Sequence, residues 1–215
     1  LSSESKKRQI SYKYEERLNA ATHGLGTVMA CLGMYYLLEH VSAKTPFATE
    51  SLVLYSLSMI LLFATSTAYH LVTHPAWKRR LRMADHISIY FLIAGTYSPV
   101  ALITLVHGDG WTLFYLVWGI ALAGTVMKLF FTGKYEYVSL LLYLFMGWLI
   151  VIDIQDLIRL STTRGLVLLG TGGAFYTLGI FFYTQRRIPY NHLIWHFFVL
   201  GGAFSHWFYI YLEVA

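Results

Sequence analysis

The chain has 215 residues, of which 57% are hydrophobic and only 13% charged. Soluble domains carry about 25% charged residues, so this composition excludes an ordinary soluble domain and points to a membrane bundle. The net charge of +5 does not mark a nucleic-acid binder, because Lys and Arg stand in short clusters between apolar stretches, the pattern that orients a protein in a bilayer.

Residues 1–17 are polar, with Lys6, Lys7, Arg8, Lys13 and Arg17 against Glu4, Glu15 and Glu16. They read as a cytoplasmic N-terminal segment forming a short interfacial helix. The basic opening leads straight into a full-length apolar stretch with no small-residue cleavage site, so no cleavable signal peptide is expected. A helix needs about 20 apolar residues to cross the hydrocarbon layer. Stretches of this kind fall near 18–38, 51–69, 86–106, 111–127, 138–152, 165–183 and 192–212, the fifth being the shortest. The expected architecture is all-α, a seven-transmembrane-helix bundle over residues 18–215 in the cell membrane. Lys128 is expected to snorkel at the end of the fourth stretch. Pro99, close to Gly95, is expected to kink the third. Gly24, Gly26, Ala30 and Gly33 in the first stretch, and Gly172, Gly173 and Gly179 in the sixth, read as close-packing residues. The lone Cys31 leaves no disulfide within the chain.

Orientation follows from the cations. With seven spans, thirteen of the sixteen Lys and Arg residues share the side of the N-terminus: five in the opening segment, then Lys78, Arg79, Arg80, Arg82, Lys128, Lys134, Arg186 and Arg187. Lys44, Arg159 and Arg164 lie opposite. The positive-inside rule then puts the N-terminus in the cytoplasm and the C-terminus outside. That is opposite to the orientation of G-protein-coupled receptors.

In this frame several polar groups distant in sequence meet at one leaflet. His192 and His196 are four residues apart and project from one helix face, a spacing that lets both imidazoles reach one ion. His70 ends the second stretch at the same depth. Three histidines with one open position is the arrangement of catalytic zinc. Asp85, at the head of the third stretch, is placed to orient or deprotonate a water there. Ser66, one turn before His70, is placed to donate to an oxyanion. Asn191 reads as the N-cap of the last helix, with Pro189 breaking the chain before it. Each group also has an ordinary reading. His70 can be an interfacial residue, Asp85 can pair with Arg82 or Arg79, and Ser66 can bond its own helix. His74 and His86 read as interfacial. Glu16, Asn19 and His23 reach the same depth without an assigned role. His206 lies about 15 Å beyond His196 along the helix, too far to share the site.

Ser66-Thr67-Ala68-Tyr69-His70, then Asp85, then His192 and His196 resemble the haemolysin-III branch of the progestin and adipoQ receptor family. Glu16-Arg17-Leu18-Asn19 with His23 is similar to that family's opening motif. The runs from Leu92 to Tyr97 and from Arg187 to His192 are similar to its bacterial members. The resemblance covers nearly the whole chain. It implies seven helices, a cytoplasmic N-terminus, and Zn2+ held by His70, His192 and His196 with Asp85 and Ser66 beside it. Through the wider superfamily it implies zinc-dependent hydrolysis of a lipid amide or ester, with a membrane lipid as substrate or ligand and a role in membrane homeostasis. A non-catalytic sensor of membrane state and a membrane-lytic protein are the other functions it leaves open.

Overall fold

A computed structural model describes residues 3–42 and 45–215, with side chains from residue 12 onward. Lys44 and the charged side chains of Glu4, Lys6, Lys7 and Arg8 therefore lie outside the described residues. The described chain forms seven helical rods and no strand. They are α1 (Ser3–His40), α2 (Ala48–Leu71), α3 (Pro75–Thr104), α4 (Gly110–Phe131), α5 (Glu136–Leu160), α6 (Thr163–Thr184) and α7 (Asn191–Val214).

Six of these, α2 to α7, are long and apolar enough to cross a membrane. α1 stands outside that group. It runs unbroken through the polar opening into the first apolar stretch, and Asn19, Thr22, His23, Thr27 and three glycines dilute that stretch. A seventh span therefore does not follow from length and composition. In the remaining helices many hydroxyl side chains return to their own backbone, as Ser58 to the Tyr55 carbonyl, Thr67 to Phe63 and Thr96 to Leu92, each at 2.7 Å. This satisfies polar groups where no water competes.

Three departures from the expected boundaries have local causes. α3 starts eleven residues before His86, because Pro75 supplies a preset first turn. The cluster Lys78 to Arg82 is thus helical, and the connection from α2 shrinks to residues 72–74. Pro99 does not end α3; after it the helix widens into a π turn over Val100–Thr104, with the Leu105 amide reaching back to Val100 at 2.9 Å. α5 is interrupted by a 3-10 stretch at Leu149–Asp153. Tyr97 of α3 fills that break: its hydroxyl accepts from the Ile150 amide at 2.8 Å and donates to the Gly147 carbonyl at 3.1 Å.

α3 is the central rod. Its apolar window is 67% buried, against 17% for α6, so α6 presents most of its apolar surface outward. α2 packs along α1 and α3, and α7 packs along α6 and α1. The ends of α2 and α7 that carry the histidines are thereby brought against the first half of α1.

Candidate metal centre

The last turns of α2 and the first two turns of α7 face each other. His70 lies 5.1 Å from His192 and 5.0 Å from His196 between ring centroids, and the α7 pair is 4.8 Å apart. One ring nitrogen from each of the three lies within 4.8 Å of the others. Among the described residues this is the one group of three or more His, Cys, Asp or Glu that fits around a metal ion. His70 and His196 are buried, and His192 is partly exposed. His70 Nε2 is buried with no hydrogen-bond partner. An orphaned buried nitrogen is costly, and a metal ion removes that cost. Bonds of about 2.0–2.1 Å from zinc to imidazole suit a triad of this size after small ring adjustments.

Two of the remaining ring nitrogens, those of His70 and His196, are held from α1. His70 Nδ1 meets Glu16 Oε1 at 3.2 Å, and the other oxygen of Glu16 binds the Lys78 ammonium. Lys78 also donates to the Tyr69 carbonyl at 2.7 Å. His196 Nδ1 meets Thr22 Oγ1 at 3.1 Å. His23 stacks on His196, with ring centroids 3.6 Å apart and planes 7° apart. Asn19 and His23 are buried. Thr22 and Lys78 were not legible as site residues. The signal was the polar row Glu16, Asn19, Thr22 and His23, which recurs at three- and four-residue spacing on one face of α1.

Asp85 stands beside the triad. Its neighbours are His86, His70, the Ser66 hydroxyl, which bonds it, and Arg82. Ser66 is buried. All five sequence-derived site residues thus converge, the three histidines as the metal-sized group and the Asp85–Ser66 pair at its edge. Other expectations change. Asn191 does not cap its own helix, because Tyr190 in the left-handed conformation (φ 55°) precedes it. Its amide donates instead to the Phe182 and Tyr183 carbonyls at 3.1 and 3.4 Å, closing the C-terminal end of α6 and tying it to the head of α7. Lys128 does not snorkel. It is buried and bonds Glu136 at 2.7 Å, where Arg82 and His86 also pair, at 3.5 and 3.4 Å. His86 is therefore a buried partner of Glu136, whereas His74 is exposed. His206 bonds the Leu169 carbonyl at 3.2 Å, away from the triad.

A cavity of about 120 Å3 opens between α3, α5, α6 and α7. His86, Glu136 and Tyr183 line it at one end, and Leu92, Leu144 and Val199 continue its wall. Trp195 and Val199, which alternate with the two α7 histidines, belong to this wall. The metal-sized group and the apolar cavity therefore share one helix segment.

A largely buried histidine triad set into a bundle of apolar helices defines a multi-pass protein of the cell membrane with a metal-sized polar centre. Residues 11–207 match the model of the haemolysin-III-related family, and the chain belongs to that family. It is 40% identical over 197 residues to Hemolysin-3 of Bacillus cereus, covering 91% of this chain and 90% of that one. It is 39% identical over 195 residues to the Hemolysin-3 homolog of Bacillus subtilis (strain 168), covering 90% and 92%. The monocyte to macrophage differentiation factor of Homo sapiens is 30% identical over 207 residues, covering 92% and 84%.

Proposed function

We propose that this protein is a zinc-dependent hydrolase acting on an amide or ester bond of a membrane lipid. In this reading all seven helices span the bilayer, and the N-terminus and the histidine triad lie on the cytoplasmic side. The observation that carries the metal is the partnerless, buried Nε2 of His70, directed into a group with His192 and His196. Zinc held by these three nitrogens would supply a Lewis acid and an acidified water at neutral pH.

The chain's own residues supply the rest. Asp85 takes the proton of the attacking water at its carboxylate, and the proton passes to the leaving amine or alkoxide. Ser66 spends its single proton on Asp85 at rest, which fixes that carboxylate. To stabilise an oxyanion, the hydroxyl has to rotate away from Asp85. The apolar cavity receives an acyl chain, and its end at His86, Glu136 and Tyr183 brings the polar bond toward the triad.

The test is fatty-acid release from a panel of amide- and ester-linked lipids by purified protein in nanodiscs, with and without chelator. Asp85→Asn is expected to retain zinc and to lower turnover by about 10²–10⁴-fold, the usual contribution of a general base. Full activity in metal-free protein sinks the hydrolase reading. Zinc retention with no product from any lipid, but an altered membrane composition in cells lacking the protein, favours a non-catalytic sensor. The relatives' name raises a lytic role. A pore needs a continuous polar path, whereas the cavity wall is mostly Leu, Ile, Tyr and Trp. Dye leakage from liposomes at low protein-to-lipid ratio would revive it.

A further inference from the structure

We infer that α1 is the element that sets the tautomers of the metal-binding histidines, with Glu16 as the positioning residue for His70. The inference rests on the metal reading above for its purpose, but its content concerns protons on this chain's own nitrogens. A neutral imidazole carries one N–H, and the partner of one nitrogen decides which lone pair the other offers.

At His70 the partner is a carboxylate. Glu16 accepts only, so the proton between them belongs to His70 Nδ1. The lone pair then stands on Nε2, the nitrogen that is buried and partnerless. At His196 the logic has one more step. The Thr22 hydroxyl donates to the Asn19 carbonyl at 2.9 Å, which uses its only proton. Toward His196 Nδ1, at 3.1 Å, Thr22 Oγ1 is therefore an acceptor, and Nδ1 again carries the hydrogen. The Asn19 carbonyl also lies within hydrogen-bonding reach of the His196 ring. Two histidines from different helices thus present Nε2 lone pairs inward, and both outer partners come from residues 16 to 22 of α1.

Glu16 is itself held. Lys78, from the first turn of α3, binds its second oxygen and anchors to the Tyr69 carbonyl next to His70. The chain Lys78–Glu16–His70 joins the first half of α1 and the head of α3 to the end of α2. His23, stacked flat on His196, limits rotation of that ring. Metal-binding histidines whose outer nitrogen is held by a carboxylate lose about 10–100-fold in metal affinity when that partner is removed.

The deciding measurement is the ring-nitrogen chemical shifts of His70 and His196 in metal-free protein, paired with zinc affinity by chelator competition. Wild type is expected to show Nδ1–H at both residues. Glu16→Ala is expected to mix the tautomers of His70 alone and to weaken zinc by about 10–100-fold. Glu16→Gln, which can still present an amide oxygen, is expected to restore the Nδ1–H form and most of the affinity. Lys78→Met is expected to fall between wild type and Glu16→Ala. Nε2–H at either histidine in the wild type overturns the inference, a result that needs no variant to fold. It is also overturned by a folded Glu16→Ala with unchanged His70 shifts and unchanged zinc affinity. Nδ1–H at both rings with no zinc bound supports the tautomer assignment while removing the metal reading.

Discussion

Replacing His70 by Ala is expected to abolish stoichiometric zinc in purified protein, and His196→Ala to do the same. The expected size follows from comparison. Loss of an outer hydrogen-bond partner of a metal ligand costs about 10–100-fold in affinity. Loss of one of three direct ligands removes a metal bond as well, and the remaining two imidazoles cannot close the site. The loss therefore exceeds that range. Stability reports the same event. A ligand present at about 100 times its Kd adds about 2.7 kcal/mol to the folded state. Zinc should then raise the thermal midpoint of the wild type and leave that of His70→Ala unmoved. His206→Ala is the control. His206 is a partly buried histidine on the same helix, bonded to the Leu169 carbonyl and outside the triad. Its loss should lower stability without lowering zinc content. Equal zinc in wild type and His70→Ala, measured by elemental analysis, would falsify the metal centre.

Gly95→Ala is expected to destabilise the bundle and to disturb the site from a distance. A Cβ at Gly95 would stand 2.0 Å from Ser58 Oγ and 2.7 Å from Ser58 Cβ, with the Tyr55 backbone 3.4 Å behind. The hydroxyl can rotate, but Cβ cannot, so α2 and α3 have to separate. Overpacking of this kind costs about 1–3 kcal/mol. Removing the clashing atoms with Ser58→Gly should recover much of the loss, less up to about 1 kcal/mol for a helical glycine, so the pair should be non-additive. The consequence for the site is specific. α2 carries Ser66 and His70 while α3 carries Asp85, so separation loosens the Asp85–Ser66 contact. Gly170 gives the opposite sign. It is exposed in α6 with nothing within 4 Å of an added Cβ, so Gly170→Ala should be neutral or stabilising by up to about 1 kcal/mol. Thermal unfolding of the four variants in one detergent checks the order. A Gly95→Ala protein as stable as Gly170→Ala removes the packing argument.

The helices were legible because hydrocarbon imposes a minimum apolar length, and the chain shows seven stretches near that length. Their relative levels were read from the cations, which cluster in alternate connections. Those two facts were enough to bring His70, His192, His196, Asp85 and Ser66 to one level. The starts and ends were read less well. The charged residues from Lys78 to Arg82 looked like a loop, since hydropathy cannot separate a polar helix turn from a connection. Lys128 looked free to reach water because its partner Glu136 belongs to the next helix.

The sequence by itself determined that the chain builds apolar helices and places a histidine triad at the mouth of the bundle. Composition, spacing and chain order carry that information locally. Only the tertiary structure decided which nitrogens face inward, that Glu16 and Thr22 hold the other two, and that Asn191 closes the end of α6 rather than capping α7. Those outcomes depend on how the helices are rotated against one another, and side-chain packing across helix pairs sets that rotation. A hydrogen bond between Thr22 and His196 joins residues 174 positions apart, and no periodicity along a single helix encodes it.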